Sequence, residues 1–308
     1  TLIRLPRLGA ALQAYAERGP QAFTAGPAAA AIERTVKKHG GVLTAADLAG
    51  YRAVWRVPVR FRLAGWEVAS MPLPSSGGII LGQTAGVLER LGWASLPADS
   101  VERDHLLVEA WRRAFADRVL LGDPATTRAG EGDLLAAPWL DRRAAEVDRS
   151  RATASRDVAS WQPAPRHELP QTTHLSVVDG AGNVVSLTTT LNGSFGCGVL
   201  VPRLQILLNN EMDDFAATPG SPNLYGLVQG EANAVGRGKR MLSSMSPTVA
   251  WRGDDVIALG SPGGSRIPTA TSQVLLAVVV AGQGLQRAVA APRLHHQWLP
   301  AALLAAPG

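Results

Sequence analysis

The stretch Glu168–Asn192, ELPQTTHLSVVDGAGNVVSLTTTLN, decides how the rest of the chain is read. Two short β-rich runs, 174–179 and 184–191, flank the turn cluster Asp179-Gly180-Ala181-Gly182-Asn183, so the segment predicts a hairpin. Thr172 and Thr173 stand at its mouth, after a run of Ser, Ala, Pro and charge without periodicity (150–171) that reads as a linker. Threonine is a good strand residue, so the pair by itself needs no function.

Working outward, the part before residue 150 is mainly helical. A helix is expected over 28–38, closed by Gly40-Gly41, and Thr44-Ala45-Ala46-Asp47 is a capping-box signature. Val57, Val59, Phe61 and Leu63, then Trp66 and Val68, alternate in period two and predict another hairpin with one wet face. Pro58 cannot donate to a ladder, which puts that strand at a sheet edge or starts it late. PLPSSGG (72–78) leads into a helix over 79–91, with further helices over 101–121 and 138–147. Past the linker, strands are expected over 174–179, 184–191, 199–209, 247–252 and 255–260, and an apolar helix over 268–281. The pattern is α+β, sheets covered by helices.

Composition narrows the classes. The chain has 308 residues, is 46% apolar and carries a net charge of +5. Its cations are nearly all arginines, dispersed and without a block of like charge, which argues against a nucleic-acid partner. The single Cys197 allows no intrachain disulfide, and its position between two glycines reads as a buried turn. The longest apolar run, 274–281, is far short of the roughly 20 residues a membrane span needs. The first 19 residues read as an amphipathic helix ending at Gly19, not as a signal peptide.

Familiar chemistry motifs fail: there is no phosphate-binding loop, dinucleotide fingerprint, G-x-S-x-G elbow or H-E-x-x-H. The adjacent His295 and His296 diverge on any regular element, so packing is expected of them and no metal or other cofactor is assigned. Dense polar strings remain: NNEMDDF (209–215), PGSPNLYGLVQGE (219–231), LSSMSPT (242–248) and GSPGG (260–264). They sit at strand ends, where a rigid sheet gathers binding groups. Glu211 and Asp214 suit an ammonium group; Ser243 and Ser244 suit a carboxylate. Gly263 and Gly264, before a helix, offer N–H donors to an oxyanion. Together these describe an amino acid undergoing acyl transfer. A threonine hydroxyl with no histidine base is activated by its own α-amine when it begins a chain, so Thr172 becomes a candidate nucleophile if Gln171–Thr172 is cut.

The strings QTTHLSVVD, TTTLNGSFG, LLNNEMDDF, PNLYGLV, ANAVG, LSSMSPT and GSPGG, in this order, resemble the γ-glutamyltranspeptidases. Upstream, GGVLTAADLAGY, MPLPSSGG and DRVLLGDP are similar to the later large-subunit region of that family. The resemblance implies an N-terminal-nucleophile hydrolase with an αββα sandwich, made as one precursor that cuts itself. On that pattern residues 1–171 belong to the large subunit and 172–308 to the small one, and the two form a heterodimer building one fold. It implies that Thr172 processes the chain and attacks the substrate, and that Thr190 hydrogen-bonds it. Asn192, Glu211 and Asp214 would surround the γ-glutamyl amino group. Ser243 and Ser244 would hold the carboxylate, Gly263 and Gly264 would form the oxyanion hole, and Tyr225 would belong to a lid loop. The implied substrates are glutathione and related γ-glutamyl compounds, with water, an amino acid or a peptide as acceptor, in the periplasm or outside the cell. The family's large subunit extends further at its N-terminus and carries an arginine that clamps the substrate carboxylate. No arginine of this sequence matches it, and the family also continues past HHQWLP, so the chain reads as truncated at both ends. A cephalosporin-acylase-like amidase of the same fold, and an inactive remnant lacking that arginine, are the alternatives.

Overall fold

The computed structural model describes residues 4–127, 129–158 and 172–306. In chain order the elements are α1 (Pro6–Arg18), α2 (Gln21–Thr24), α3 (Gly26–Lys38), α4 (Ala45–Gly50), β1 (Val59–Leu63) and β2 (Trp66–Ser70). Next come α5 (Gly77–Arg90), α6 (Val101–Asp117), α7 (Glu131–Leu134), α8 (Ala137–Ala145), α9 (Ser155–Val158), β3 (Thr173–Val178) and β4 (Val184–Thr189). The remainder is β5 (Leu200–Val201), β6 (Ile206–Leu207), β7 (Thr248–Arg252), β8 (Asp255–Leu259), α10 (Ile267–Val279), α11 (Leu285–Ala290), β9 (Leu294–His295) and β10 (Leu304–Ala305). These form two compact units, one of residues up to 56 with 193–210, the other of 57–192 with 211–308.

The first unit holds α1–α4 and the β5–β6 pair around a small core of Ala31, Ile32 and Val201. The capping box of α4 forms as expected: Thr44 N–H donates to Asp47 Oδ2 at 2.8 Å, and Asp47 N–H returns to Thr44 Oγ1 at 3.2 Å. Two expectations fail here. The run 199–209 is not one strand but two short ones, β5 and β6, joined by a turn through Pro202 with Gln205 at φ 54°. Proline cannot continue the ladder, and the left-handed residue reverses the chain. Cys197 is exposed, although its N–H (3.0 Å) and its Sγ (3.5 Å) both donate to Leu208 O.

The second unit is built on an antiparallel sheet in the order β1-β2-β7-β8. β1 is the edge strand and begins just after Pro58, as the missing donor requires. One side chain in two along each strand is buried, including Leu63, Trp66, Val68, Ala250, Ile257 and Leu259, and these meet Ile80, Trp111, Phe115 and Leu276 of α5, α6 and α10 in a single core. Trp111 is fully buried, with its indole N–H donating to Ser272 Oγ at 3.1 Å. Truncating a side chain of that size to alanine costs about 3–5 kcal/mol.

The β3–β4 hairpin forms with Thr173 opposite Thr189 and Val178 opposite Val184. Its turn is fixed by Asp179, whose Oδ1 accepts the N–H groups of Ala181 (2.9 Å) and Asn183 (2.8 Å). The hairpin packs on β7 and β8 through polar contacts: Ser176 Oγ donates to Ala258 O at 3.1 Å and Ser186 Oγ to Leu259 O at 2.9 Å. His174 is partly buried, bonded to Thr188 Oγ1 at 2.9 Å, and its ring lies against Gly260, where any Cβ would collide with the imidazole. The layers are thus helices, a four-stranded sheet and a second, two-stranded sheet. Of the linker, Ser155–Val158 forms the short α9, while residues 159–171, Gln171 included, lie outside the described residues. No described helix is long and apolar enough to cross a membrane.

Candidate active site

The hairpin brings Thr172 to a cavity lined also by Thr190, Asn192, Glu211, Asp214, Tyr225, Ser243, Ser244, Met245, Gly264 and Ile267. Of the residues singled out from sequence, Gly263 alone is not on this wall; it precedes Gly264 in a tight turn, the two having φ of 131° and 55°. Those angles favour glycine at both positions. The free volume is about 20 Å³, room for about one water, so an amino-acid ligand needs the walls to part.

Thr172 sits one residue before β3 and Thr190 one residue after β4, so the hairpin register itself places them side by side. Thr172 Oγ1 donates to Thr190 Oγ1 at 3.5 Å, and Thr190 Oγ1 also accepts the Asn192 N–H at 2.8 Å. Asn192 takes φ 71°, a left-handed turn that asparagine tolerates and that directs its side chain inward, where it is buried. Its Nδ2 donates to Asp214 Oδ1 at 3.4 Å, and it accepts the Tyr225 hydroxyl at both its backbone and its side-chain oxygen. Tyr225 is itself buried and lines the cavity.

Glu211 and Asp214 lie on one short 3-10 turn following β6. Asp214 is anchored through its backbone, its carbonyl accepting Gln229 Nε2 at 2.9 Å and Asn233 Nδ2 at 2.8 Å. Burial pushes the Glu211 carboxyl up to about 7. Burial and the neighbouring Glu211 charge push Asp214 up to about 7 as well, against the opposing pull of Arg118 and Asn192. Two desolvated carboxyls side by side favour a cation between them.

The serine end is held by backbone. Ser243 N–H donates to Pro74 O at 2.7 Å, Ser76 N–H donates to Ser243 O at 2.9 Å, and Ser75 Oγ donates to Met245 O at 2.7 Å. PLPSSGG and LSSMSPT therefore form one paired structure. Gly77 sits against Ser246 and the Met245 carbonyl so closely that no Cβ fits.

Sequence reasoning missed Arg118. Asp117, the last residue of α6, is locked by Arg143, by Gln83 Nε2 at 2.7 Å and by Trp139 Nε1 at 2.8 Å. The next residue, Arg118, then enters beneath the serine loop: Nε donates to Ser76 Oγ (3.0 Å), Nη2 to Leu242 O (3.1 Å) and Ser244 Oγ (3.4 Å). It is fully buried, and burial lowers its guanidinium to about 10 despite the attraction of Asp214. The motif DRVLLGDP was visible, but nothing local marks which of its residues faces a segment 124 positions away.

His295 and His296 lie apart from this cavity. His295 bridges Thr269 Oγ1 and Gln297 Oε1, both at 2.8 Å, and burial lowers it to about 4. His296 accepts the Trp298 N–H at 3.0 Å and is lowered to about 3 by burial. No group of three metal-ligating side chains occurs among the described residues.

The α+β fold of antiparallel sheets and helices is of the N-terminal-nucleophile hydrolase type. The sequence matches the profile of the family described as Gamma-glutamyltranspeptidase over residues 1–307. It is 43% identical over 295 residues to the glutathione hydrolase proenzyme of Escherichia coli (strain K12), covering 95% of this chain and 51% of the relative. It is 35% identical to the Acylase ACY 1 proenzyme of Pseudomonas sp. (strain SE83), covering 92% and 49%. The structure of a cephalosporin acylase from Bacillus halodurans superposes with a TM-score of 0.78 at 26% identity, over 95% of this chain and 50% of that one. The chain belongs to the γ-glutamyltranspeptidase family. It spans about half the length of the curated relatives it matches.

Proposed function

We propose that the chain carries the nucleophile and much of the amino-acid pocket of a γ-glutamyl transferase and hydrolase acting on glutathione and related compounds. The observation that carries this is the convergence, around Thr172, of a carboxylate pair, a serine pair and Gly264 on one cavity wall. The polypeptide is first cut at Gln171–Thr172, leaving 1–171 and 172–308 as parts of a large and a small subunit in one heterodimer. The freed Thr172 α-amine, with a pKa near 8, then accepts the hydroxyl proton. Thr172 Oγ1 attacks the γ-carbonyl carbon while Gly263 and Gly264 N–H groups receive the oxyanion. The C–N bond breaks, the amine leaves with the proton, and water or an amino-acid amine attacks the ester to release the γ-glutamyl group. Glu211, Asp214 and Asn192 hold the substrate ammonium, Ser243 and Ser244 its carboxylate. Export to the periplasm or beyond fits the same reading.

Intact mass with N-terminal sequencing tests it: a new chain beginning Thr-Thr-His-Leu is expected, absent in Thr172→Ala, and a cut elsewhere refutes the assignment. An amidase of the acylase type is favoured by one observation, the likeness to both acylases. Turnover of γ-glutamyl-p-nitroanilide over glutaryl-p-nitroanilide supports the first reading, and the reverse preference the second. A protein that stays uncut and turns over neither is a remnant.

A further inference from the structure

The net charge of +5 is not spread over the molecule. The unit of residues up to 56 with 193–210 holds nine Lys and Arg against three Asp and Glu, a surplus of six. The rest of the chain is close to neutral, twenty-one against twenty-two. Within the basic unit, Ala31, Arg34, Thr35 and Lys38 recur at i, i+3, i+4 and i+7 and so share one face of α3. Facing them are Leu200, Pro202 and Arg203 of β5 and the turn after it, and His39 closes one side of a cleft of about 270 Å³. The small core of Ala31, Ile32 and Val201 backs the cleft, so its floor is fixed.

Three of the residues lining this cleft, Arg34, Lys38 and Arg203, are cationic. Thr35 Oγ1 is already committed to Ala31 O at 2.8 Å. Arg34, Lys38 and Arg203 form no ion pair with any described residue. Glu33, the acid of α3, is taken by Lys37 Nζ at 2.5 Å and the Ala45 N–H at 3.2 Å. The negative end of the α3 dipole accounts for Lys38, in its last turn. Arg34, one turn earlier, has the attraction of Glu33, whose carboxyl Lys37 and, more weakly, Arg34 itself hold below the usual range, and Arg203 sits on another element. Like charges gathered around one cleft raise the positive potential there. A guanidinium can pair two phosphate oxygens at once, and two of the lining residues, Arg34 and Arg203, carry one. The volume lies just below the range of small-molecule sites, enough for a pyrophosphate-sized group and too little for a folded partner.

We propose that this cleft binds a phosphate-type oxyanion, as inorganic pyrophosphate or as the phosphate of a small ester. Its lining residues are different from those of the cavity around Thr172. Calorimetric titration of the full chain at constant ionic strength tests it, with pyrophosphate, glycerol phosphate and sodium chloride as titrants. Saturable one-to-one binding of pyrophosphate or glycerol phosphate is expected, the tighter of the two naming the source. It should weaken about tenfold or more in an Arg34→Gln, Arg203→Gln double variant. Both side chains are exposed, so the variant should melt at the wild-type temperature without ligand. The absence of saturable heat, equal binding by the variant, or chloride competing as well as pyrophosphate would overturn the proposal.

Discussion

At one end of the cavity, Ser243 and Ser244 are set by hydrogen bonds to the Pro74–Ser76 backbone and by a buried arginine. At the other, Asp214 is anchored through its carbonyl, but burial raises both it and Glu211 to about 7. The serine end is finished before any ligand arrives. On the proposed reading a substrate ammonium completes the carboxylate end, because two buried acids ionise together at a cost that a bound cation offsets. The contrast gives the pocket a direction: one end supplies fixed geometry, the other a charge that answers to pH and ligand.

The sharpest way to break this contrast is Asp214→Asn. Removing one partner of a desolvated charge pair costs about 2–5 kcal/mol, so kcat/KM for γ-glutamyl-p-nitroanilide should fall by roughly 30- to 5,000-fold. A glutaryl substrate, which lacks the ammonium, should lose far less. Equal losses on the two substrates would mean that Asp214 shapes the fold and not the ammonium site.

Arg118→Met should act on both ends at once, lowering kcat/KM by about 10- to 100-fold through the lost contacts to Ser244 and Leu242. Its guanidinium also pulls Asp214 downward. Without it the carboxyl rises further, so the acid limb of the pH profile should move to higher pH. Arg118→Lys should restore the limb better than the serine contacts, since it keeps the charge and loses the fork. An unmoved limb in Arg118→Met would leave Arg118 a purely structural residue.

The pH dependence itself sharpens the contrast. Both carboxyls are protonated below about 7 and then hold no ammonium, so the rate ratio of γ-glutamyl to glutaryl substrate should fall as pH drops through about 7. Taking the ratio cancels the Thr172 amine. The same raised values stabilise the folded chain at low pH: that contribution is whole below the ordinary carboxylate range near 4 and lost as pH rises through about 7. Melting of Glu211→Gln at pH 5 and pH 8 should show a smaller drop than the unaltered chain.

Ser244→Ala should give the smallest effect. A single hydroxyl contributes about 1 kcal/mol, so KM should rise about fivefold with kcat nearly unchanged. A larger fall in kcat than in affinity would place Ser244 in the chemistry.

Much of the fold was legible where the signals are local. The alternation through Trp66 and Val68, the turn at Asp179–Asn183 and the capping box at Thr44 act between near neighbours, and each element formed within two residues of its expected bounds. The run 199–209 misled because its apolar content hid the turn at Pro202–Gln205. Cys197 misled because flanking glycines mark a turn without saying whether it is covered.

The sequence alone determined which short segments carry chemistry. Residue types at fixed spacing set local backbone geometry and the menu of groups, whatever the rest of the chain does. Tertiary structure alone decided that Thr172, Asp214 and Ser244 share one cavity and that Arg118 lies beneath it. It alone decided, too, that the acids there titrate near neutrality. Desolvation and contacts between distant segments depend on what each group is buried against, and no local pattern encodes that.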